Sequence, residues 1–117
     1  KRRLLEDVAP GFDQETWPVW AAEGARLVRL APSAANRQPW SVVLVSESDP
    51  GTQTSVTTGA TISAIERGAD ANISRRLDCG IAMLHFEVGA RLMGQPGFWE
   101  VLEPPGVATY RAHRPKV

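Results

Sequence analysis

Ser74-Arg75-Arg76-Leu77-Asp78-Cys79-Gly80-Ile81-Ala82-Met83-Leu84-His85-Phe86-Glu87-Val88-Gly89-Ala90-Arg91-Leu92-Met93 carries the clearest helical periodicity in the sequence. At about 100° per residue, Leu77, Ile81, Leu84, Val88 and Leu92 line one apolar stripe, and Cys79, Ala82, Phe86, Ala90 and Met93 line a second. Asp78, His85 and Gly89 run between them, while Glu87 and Arg91, spaced i,i+4 as an ion pair requires, lie opposite with Gly80. Burying the large side chains of both stripes, at about 1.5–3 kcal/mol each, makes this helix the chief stabilising element. A chain of 117 residues has few other layers to cover two flanks, so a partner surface is expected on one of them.

Downstream, Gly94 ends the helix as a cap residue, Phe98–Leu102 reads as a strand, Pro104-Pro105-Gly106 as a turn, and Val107–His113 as a final strand. Upstream, Thr16–Leu30 places Trp17, Trp20, Ala21, Gly24, Leu27 and Val28 on one helical face. Thr16 or Trp17 is its expected cap, Pro18 fits its first turn, and Pro32 forces it to stop. Trp40–Ser46 is short and β-branched, and a second strand within Ser55–Ile65 is expected to pair back on it. Asp49-Pro50-Gly51 is a turn signal and residues 68–72 a connector. Residues 1–14, broken by Pro10-Gly11, read as a surface lead-in or linker before a domain at 15–117. The order α-β-β-α-β-β predicts an α+β fold with two main helices against a small, mainly antiparallel sheet.

Composition narrows the function. Thirteen basic and thirteen acidic side chains cancel, so there is no global electrostatic drive toward nucleic acid or an anionic membrane. The terminal clusters Lys1-Arg2-Arg3 and Arg111, Arg114, Lys116 read as solvated tails. No apolar run approaches the roughly 18–20 residues needed to span a bilayer. One cysteine and two histidines predict no metal site, and a lone thiol points to a reducing, cytoplasmic setting.

Chemistry concentrates in Ala31-Pro32-Ser33-Ala34-Ala35-Asn36-Arg37-Gln38-Pro39-Trp40. Two prolines fix its entry and exit, and small Ala34 and Ala35 let a flat molecule approach the backbone. Ser33 and Asn36 can both donate and accept, Arg37 adds charge and Gln38 a second amide. Such a set suits a heteroaromatic ring with N–H and C=O edges. The same residues also suit a plain helix-to-strand connector, with Pro32 as helix stop and Trp40 as core plug.

Other candidates are poorer. Ser33, His85 and Asp78 lack the strand–Gly-x-Ser-x-Gly–helix setting of a hydrolase, and Asp78 and His85 sit about 10 Å apart along one helix. His85 reads as a satisfied core or interface residue, Cys79 as a buried thiol, and the four tryptophans chiefly as core. No Gly-x-Gly-x-x-Gly or Walker loop is present.

Leu30-Ala31-Pro32-Ser33-Ala34-Ala35-Asn36-Arg37-Gln38-Pro39-Trp40 resembles the signature of the FMN-dependent nitroreductases, and Leu77–Phe86 leading to Gly94 resembles their central helix. The likeness is closest to the branch in which one chain carries two nitroreductase-like repeats, and it covers residues 16–113. It implies an FMN-binding fold paired across an interface, either as a homodimer or with an N-terminal nitroreductase-like repeat. The flavin would carry electrons from NAD(P)H to a nitroaromatic or quinone. By this resemblance Pro32, Ser33 and Asn36, then Arg37 and Gln38, contact the flavin, and no residue acts as catalytic acid, base or nucleophile. Family members open with an Arg-x-Ser-type motif that grips the FMN phosphate; Lys1-Arg2-Arg3-Leu4-Leu5 departs from it. The expectation is therefore a C-terminal half, with the phosphate grip elsewhere. A flavin-free pairing module that keeps the fold without the reaction is the alternative.

Overall fold

A computed structural model of the chain describes residues 2–33, 36–48, 51, 54–65 and 75–112. It contains α1 (Leu5–Val8), α2 (Val19–Arg29), β1 (Trp40–Ser48), β2 (Ser55–Ala64), α3 (Arg75–Leu92), β3 (Gly97–Val101) and β4 (Gly106–Ala112). The fold is α+β: apart from short α1, the order is the expected α-β-β-α-β-β, with two main helices and one antiparallel sheet ordered β1-β2-β4-β3. Lys1, Ala34, Ala35, Asp49, Pro50, the 68–72 connector, Ser74, His113, Arg114 and Lys116 lie outside the described residues.

Alternation decides which sheet face is buried. Trp40 and Val42 on β1, Ala60 and Ile62 on β2, and Ala108 and Tyr110 on β4 point to one side and are fully buried. On the other side Thr61 and Thr109 stand opposite each other and share a 2.8 Å hydroxyl hydrogen bond. The β1–β2 register runs from Trp40↔Ala64 to Ser48↔Ser55, with a bulge between Val45 and Ser46.

α3 covers the inner face with one of its two stripes. Cys79, Ala82, Phe86 and Ala90 are buried, and Phe86 meets Tyr110 edge-on at 5.5 Å and Trp99 at 6.2 Å. Met93, read as the last member of that stripe, falls past the helix end and is exposed, because the chain turns away at Gly94 (φ 82°). The other stripe has no cover among the described residues: Leu77, Leu84 and Leu92 are 68%, 61% and 66% exposed, and Ile81 and Val88 are also exposed.

The expected Glu87–Arg91 pair forms at 2.8 Å, and Glu87 also accepts from the Trp99 indole N–H at 2.9 Å. The Trp99 hydrogen bond first, then Arg91, holds the Glu87 carboxyl below its ordinary value of 4.5. A depressed carboxyl stabilises the fold above the unfolded-state value and loses that contribution as pH falls through the folded one. Urea midpoints should therefore fall on acidification below about pH 4.5, and Glu87→Gln should flatten that decline. An acid limb identical in both proteins would show that the interaction contributes nothing.

Two expectations at the N-terminal side are corrected. Pro18 is itself the cap of α2 rather than a first-turn residue, its carbonyl accepting from Ala21 and Ala22. Thr16 and Trp17 precede the cap, in a turn their amides close onto the Asp13 carbonyl. The lead-in also carries a helical turn. Glu6 and Asp7 do face solvent, but Leu5 and Val8, three apart, turn inward, and Val8 and Ala9 join the core.

Candidate functional site

The loop between α2 and β1 is built on main-chain geometry that ordinary residues adopt reluctantly. Asn36 (φ 54°) and Gln38 (φ 51°) are both left-handed, a conformation sustained only where the surroundings over-determine it. Ser33 supplies part of that constraint: its carbonyl accepts from the Asn36 amide at 3.0 Å and its Oγ from the Gln38 amide at 2.8 Å. Its own O–H proton has no acceptor among the described residues. Pro32 and Asn36 are exposed and Ser33 half-buried, so these three form the loop's accessible edge.

Arg37 and Gln38 point the other way, 6% and 1% exposed. Arg37 reaches Asp78 in the first turn of α3 at 3.0 Å, a buried ion pair. The Gln38 amide nitrogen donates to the Asn36 side-chain oxygen at 3.0 Å and its carbonyl at 3.2 Å. Pro39 is buried, and its carbonyl accepts from the Ile65 amide at 3.1 Å and the Cys79 thiol at 3.5 Å. Trp40 fills the core, the plug expected of it. Ala34 and Ala35 lie outside the described residues.

Arg2 and Arg3, expected in a solvated tail, hold this loop. Arg2 donates to Asn36 Oδ1 at 3.3 Å and the Ala31 carbonyl at 3.4 Å. The Arg3 amide donates to Gln38 Oε1 at 2.8 Å, and its guanidinium to the carbonyls of Gln38 at 3.0 Å, Trp40 at 2.6 Å and Asp7 at 2.6 Å. Arg29 donates from Nε to the Arg3 carbonyl at 2.7 Å. At the other end of the chain Arg111 is also engaged, with Glu100 at 3.2 Å. Arg3 and Asp78 are the residues that sequence reasoning missed; the one available signal was a carboxylate flanked by two apolar stripes, which needs a cation when buried.

Ser33, His85 and Asp78 form no hydrolytic relay. Asp78 is committed to Arg37, and His85 lies with Nδ1 3.0 Å from the Ile81 carbonyl of its own helix. Among the described residues, no group of three His, Cys, Asp or Glu side chains could hold a metal ion, and no helix is long and apolar enough to cross a membrane. A shallow cleft of about 340 Å³ lies between Leu5, Arg26, Arg29 and Leu30, beside the Arg3 contacts rather than at Ser33 and Asn36. The accessible side of the loop is thus an open edge in this chain.

Comparison with known proteins bears on that edge. The family described as "Putative TM nitroreductase" matches residues 1–90. This chain belongs to that family. A crystal structure of "a putative nitroreductase" from Thermotoga maritima shares the fold at a TM-score of 0.63 and 24% sequence identity, over 95% of this chain and 42% of that one. The nitroreductase-family chain described here therefore spans less than half the length of the protein whose structure it matches. No curated protein matches the sequence.

Proposed function

We propose that this chain is one half of an FMN-dependent nitroreductase-like oxidoreductase, with the flavin at a seam between it and a second nitroreductase-like unit. That unit is an N-terminal repeat of the same polypeptide or a second copy. The observation that carries the reading is one juxtaposition. Arg37–Asp78 fastens the loop to the end of α3 from which the uncovered Leu77–Ile81–Leu84–Val88–Leu92 stripe begins, so an open polar edge and an open apolar face adjoin. Uncovered apolar area of that kind marks an interaction surface.

The accessible edge fits the ring of a flavin. Pro32 shapes the shelf, the Ser33 O–H donates, and the Asn36 amide supplies a hydrogen-bonding group in a fixed orientation. Arg37 and Gln38 belong to the same site as its inner supports. The phosphate is assigned to the second unit, since Arg2 and Arg3 direct donors at Asn36 and at main-chain carbonyls of this chain. FMN held at this edge by Pro32, Ser33 and Asn36 would supply the redox chemistry, hydride from NAD(P)H and electrons for a nitroaromatic or quinone. The chain's own residues orient the ring and, with the apolar stripe covered, keep water from it.

The test is flavin retention in the intact protein. Ser33→Ala with Asn36→Ala removes two neutral hydrogen bonds, and FMN binding should weaken by about tenfold or more, with loss of yellow colour on gel filtration. Unchanged flavin content would count against the site. One observation favours a second reading, a flavin-free pairing half: Arg37 pairs with Asp78, and Gln38 bonds Arg3 and Asn36, inside the chain, as a structural loop requires. Intact protein that stays colourless after refilling with FMN would support that reading instead.

A further inference from the structure

We infer that Arg3 is a positioning residue, the clasp that sets the conformation of the 36–40 loop and, resting on the flavin reading above, the orientation of the Asn36 amide toward the ring. Three features single it out. Its amide and guanidinium grip Gln38 at both ends, the side-chain Oε1 at 2.8 Å and the main-chain carbonyl at 3.0 Å, which fixes rotamer and backbone together. The same guanidinium holds the Trp40 carbonyl at 2.6 Å, so the clasp spans the left-handed residue and the start of β1. With Gln38 Oε1 accepting from Arg3, its Nε2 is turned toward Asn36, where it donates to Oδ1 at 3.0 Å and the carbonyl at 3.2 Å. Orientation therefore passes from the Arg3 main-chain amide, which the guanidinium anchors through the Gln38, Trp40 and Asp7 carbonyls, to Gln38 and on to Asn36, the second left-handed residue.

The clasp is anchored on the far side. Arg29 of α2 donates to the Arg3 carbonyl, and Arg3 itself donates to the Asp7 carbonyl of α1. A planar guanidinium with its donors in a fixed fork can serve three carbonyls at once, which a flexible ammonium does less well. Arg3 thus acts on the candidate site from behind its accessible edge, where Arg2 meets Asn36 directly.

The test uses Arg3→Ala and Arg3→Lys in the intact protein, with hydrogen exchange and FMN titration as separate readouts. The Gln38 and Trp40 amides donate to Ser33 Oγ and the Gln38 carbonyl, so their exchange reports loop order. In Arg3→Ala we expect their exchange to accelerate about tenfold or more while amides in the middle of α3 and β4 keep their rates, and FMN affinity to fall by about tenfold. Arg3→Lys should recover part of both effects; if Arg3→Ala does not fold, the graded change in Arg3→Lys decides. Loop exchange unchanged in both variants overturns the clasp, whatever FMN does. Faster exchange with unchanged FMN affinity overturns its role toward the flavin. Faster exchange in a protein whose wild type takes up no FMN supports the clasp and removes the flavin reading alone.

Discussion

Asp78→Ala is expected to destabilise the protein by about 3–5 kcal/mol, the cost of breaking a buried ion pair by removing one partner. Both side chains of the Arg37–Asp78 pair are nearly inaccessible, 4% and 5% exposed, so water cannot take over the abandoned guanidinium. A half-buried pair such as Glu23–Arg26 has less leverage, because solvent reaches and screens it. Asp78 also sits in the first turn of α3, where a negative charge faces the positive end of the helix dipole. At about 4 °C per kcal/mol for a chain of this size, the melting temperature should drop by roughly 12–20 °C. Asp78→Asn, which keeps an acceptor but not the charge, should lose less. The double change Arg37→Met with Asp78→Leu should recover most of the loss, since exchanging a buried pair for apolar side chains is often neutral. A drop under about 1 kcal/mol for Asp78→Ala would mean that the charge left behind finds another partner. The consequence for the site is direct: this pair, with the Cys79–Pro39 contact beside it, ties the loop to α3, so under the flavin reading proposed above FMN retention should fall with it.

The helices and strands were legible because each rests on local periodicity. The two stripes of α3 could be read from residues 77 to 93, and so could the implication that one of them needs a partner. Which stripe the sheet would take could not, because that depends on the inner face formed by Trp40, Val42, Ala60, Ile62, Ala108 and Tyr110 from three strands. β1 runs on through Glu47 and Ser48, past the expected end at Ser46, because ladder hydrogen bonds to β2 continue regardless of how polar the exposed side chains become. The loop was legible as an unusual proline-bracketed segment, yet its support was not. Arg37 meets Asp78 across 41 positions and Arg3 meets Gln38 across 35, separations at which no residue pattern carries a signal. Arg3 reads as a solvated tail charge and Arg37 as a loop charge open to a ligand, and only the folded geometry shows both bound within the chain.

Gly89→Val is expected to be the most damaging change where α2 and α3 cross, and Gly80→Ala on the same helix should act in the opposite direction. A Cβ added at Gly89 would stand 2.8 Å from the Glu23 carbonyl oxygen and 2.8 Å from the Gly24 Cα, both main-chain atoms of α2 that cannot swing aside. A Cβ at Gly24 would in turn meet the Phe86 ring at 2.6 Å. The two helices therefore cross through a pair of glycines, and a side chain at either must push them apart and lift Phe86 from Tyr110. Overpacking of this kind costs about 1–3 kcal/mol for modest insertions, and a β-branched residue against rigid backbone should reach the upper end or beyond. Gly89→Ala should lose less, because alanine also gains about 1 kcal/mol of helix propensity. At Gly80 nothing lies within 4 Å of an added Cβ, so only that propensity acts and Gly80→Ala should raise the urea midpoint. Equal tolerance of alanine at positions 80 and 89 would show that the α2–α3 crossing is looser than the glycine contacts require. With that crossing would go the fixed distance between α2, which leads into Pro32 and Ser33, and α3, which carries the exposed Leu77, Leu84 and Leu92.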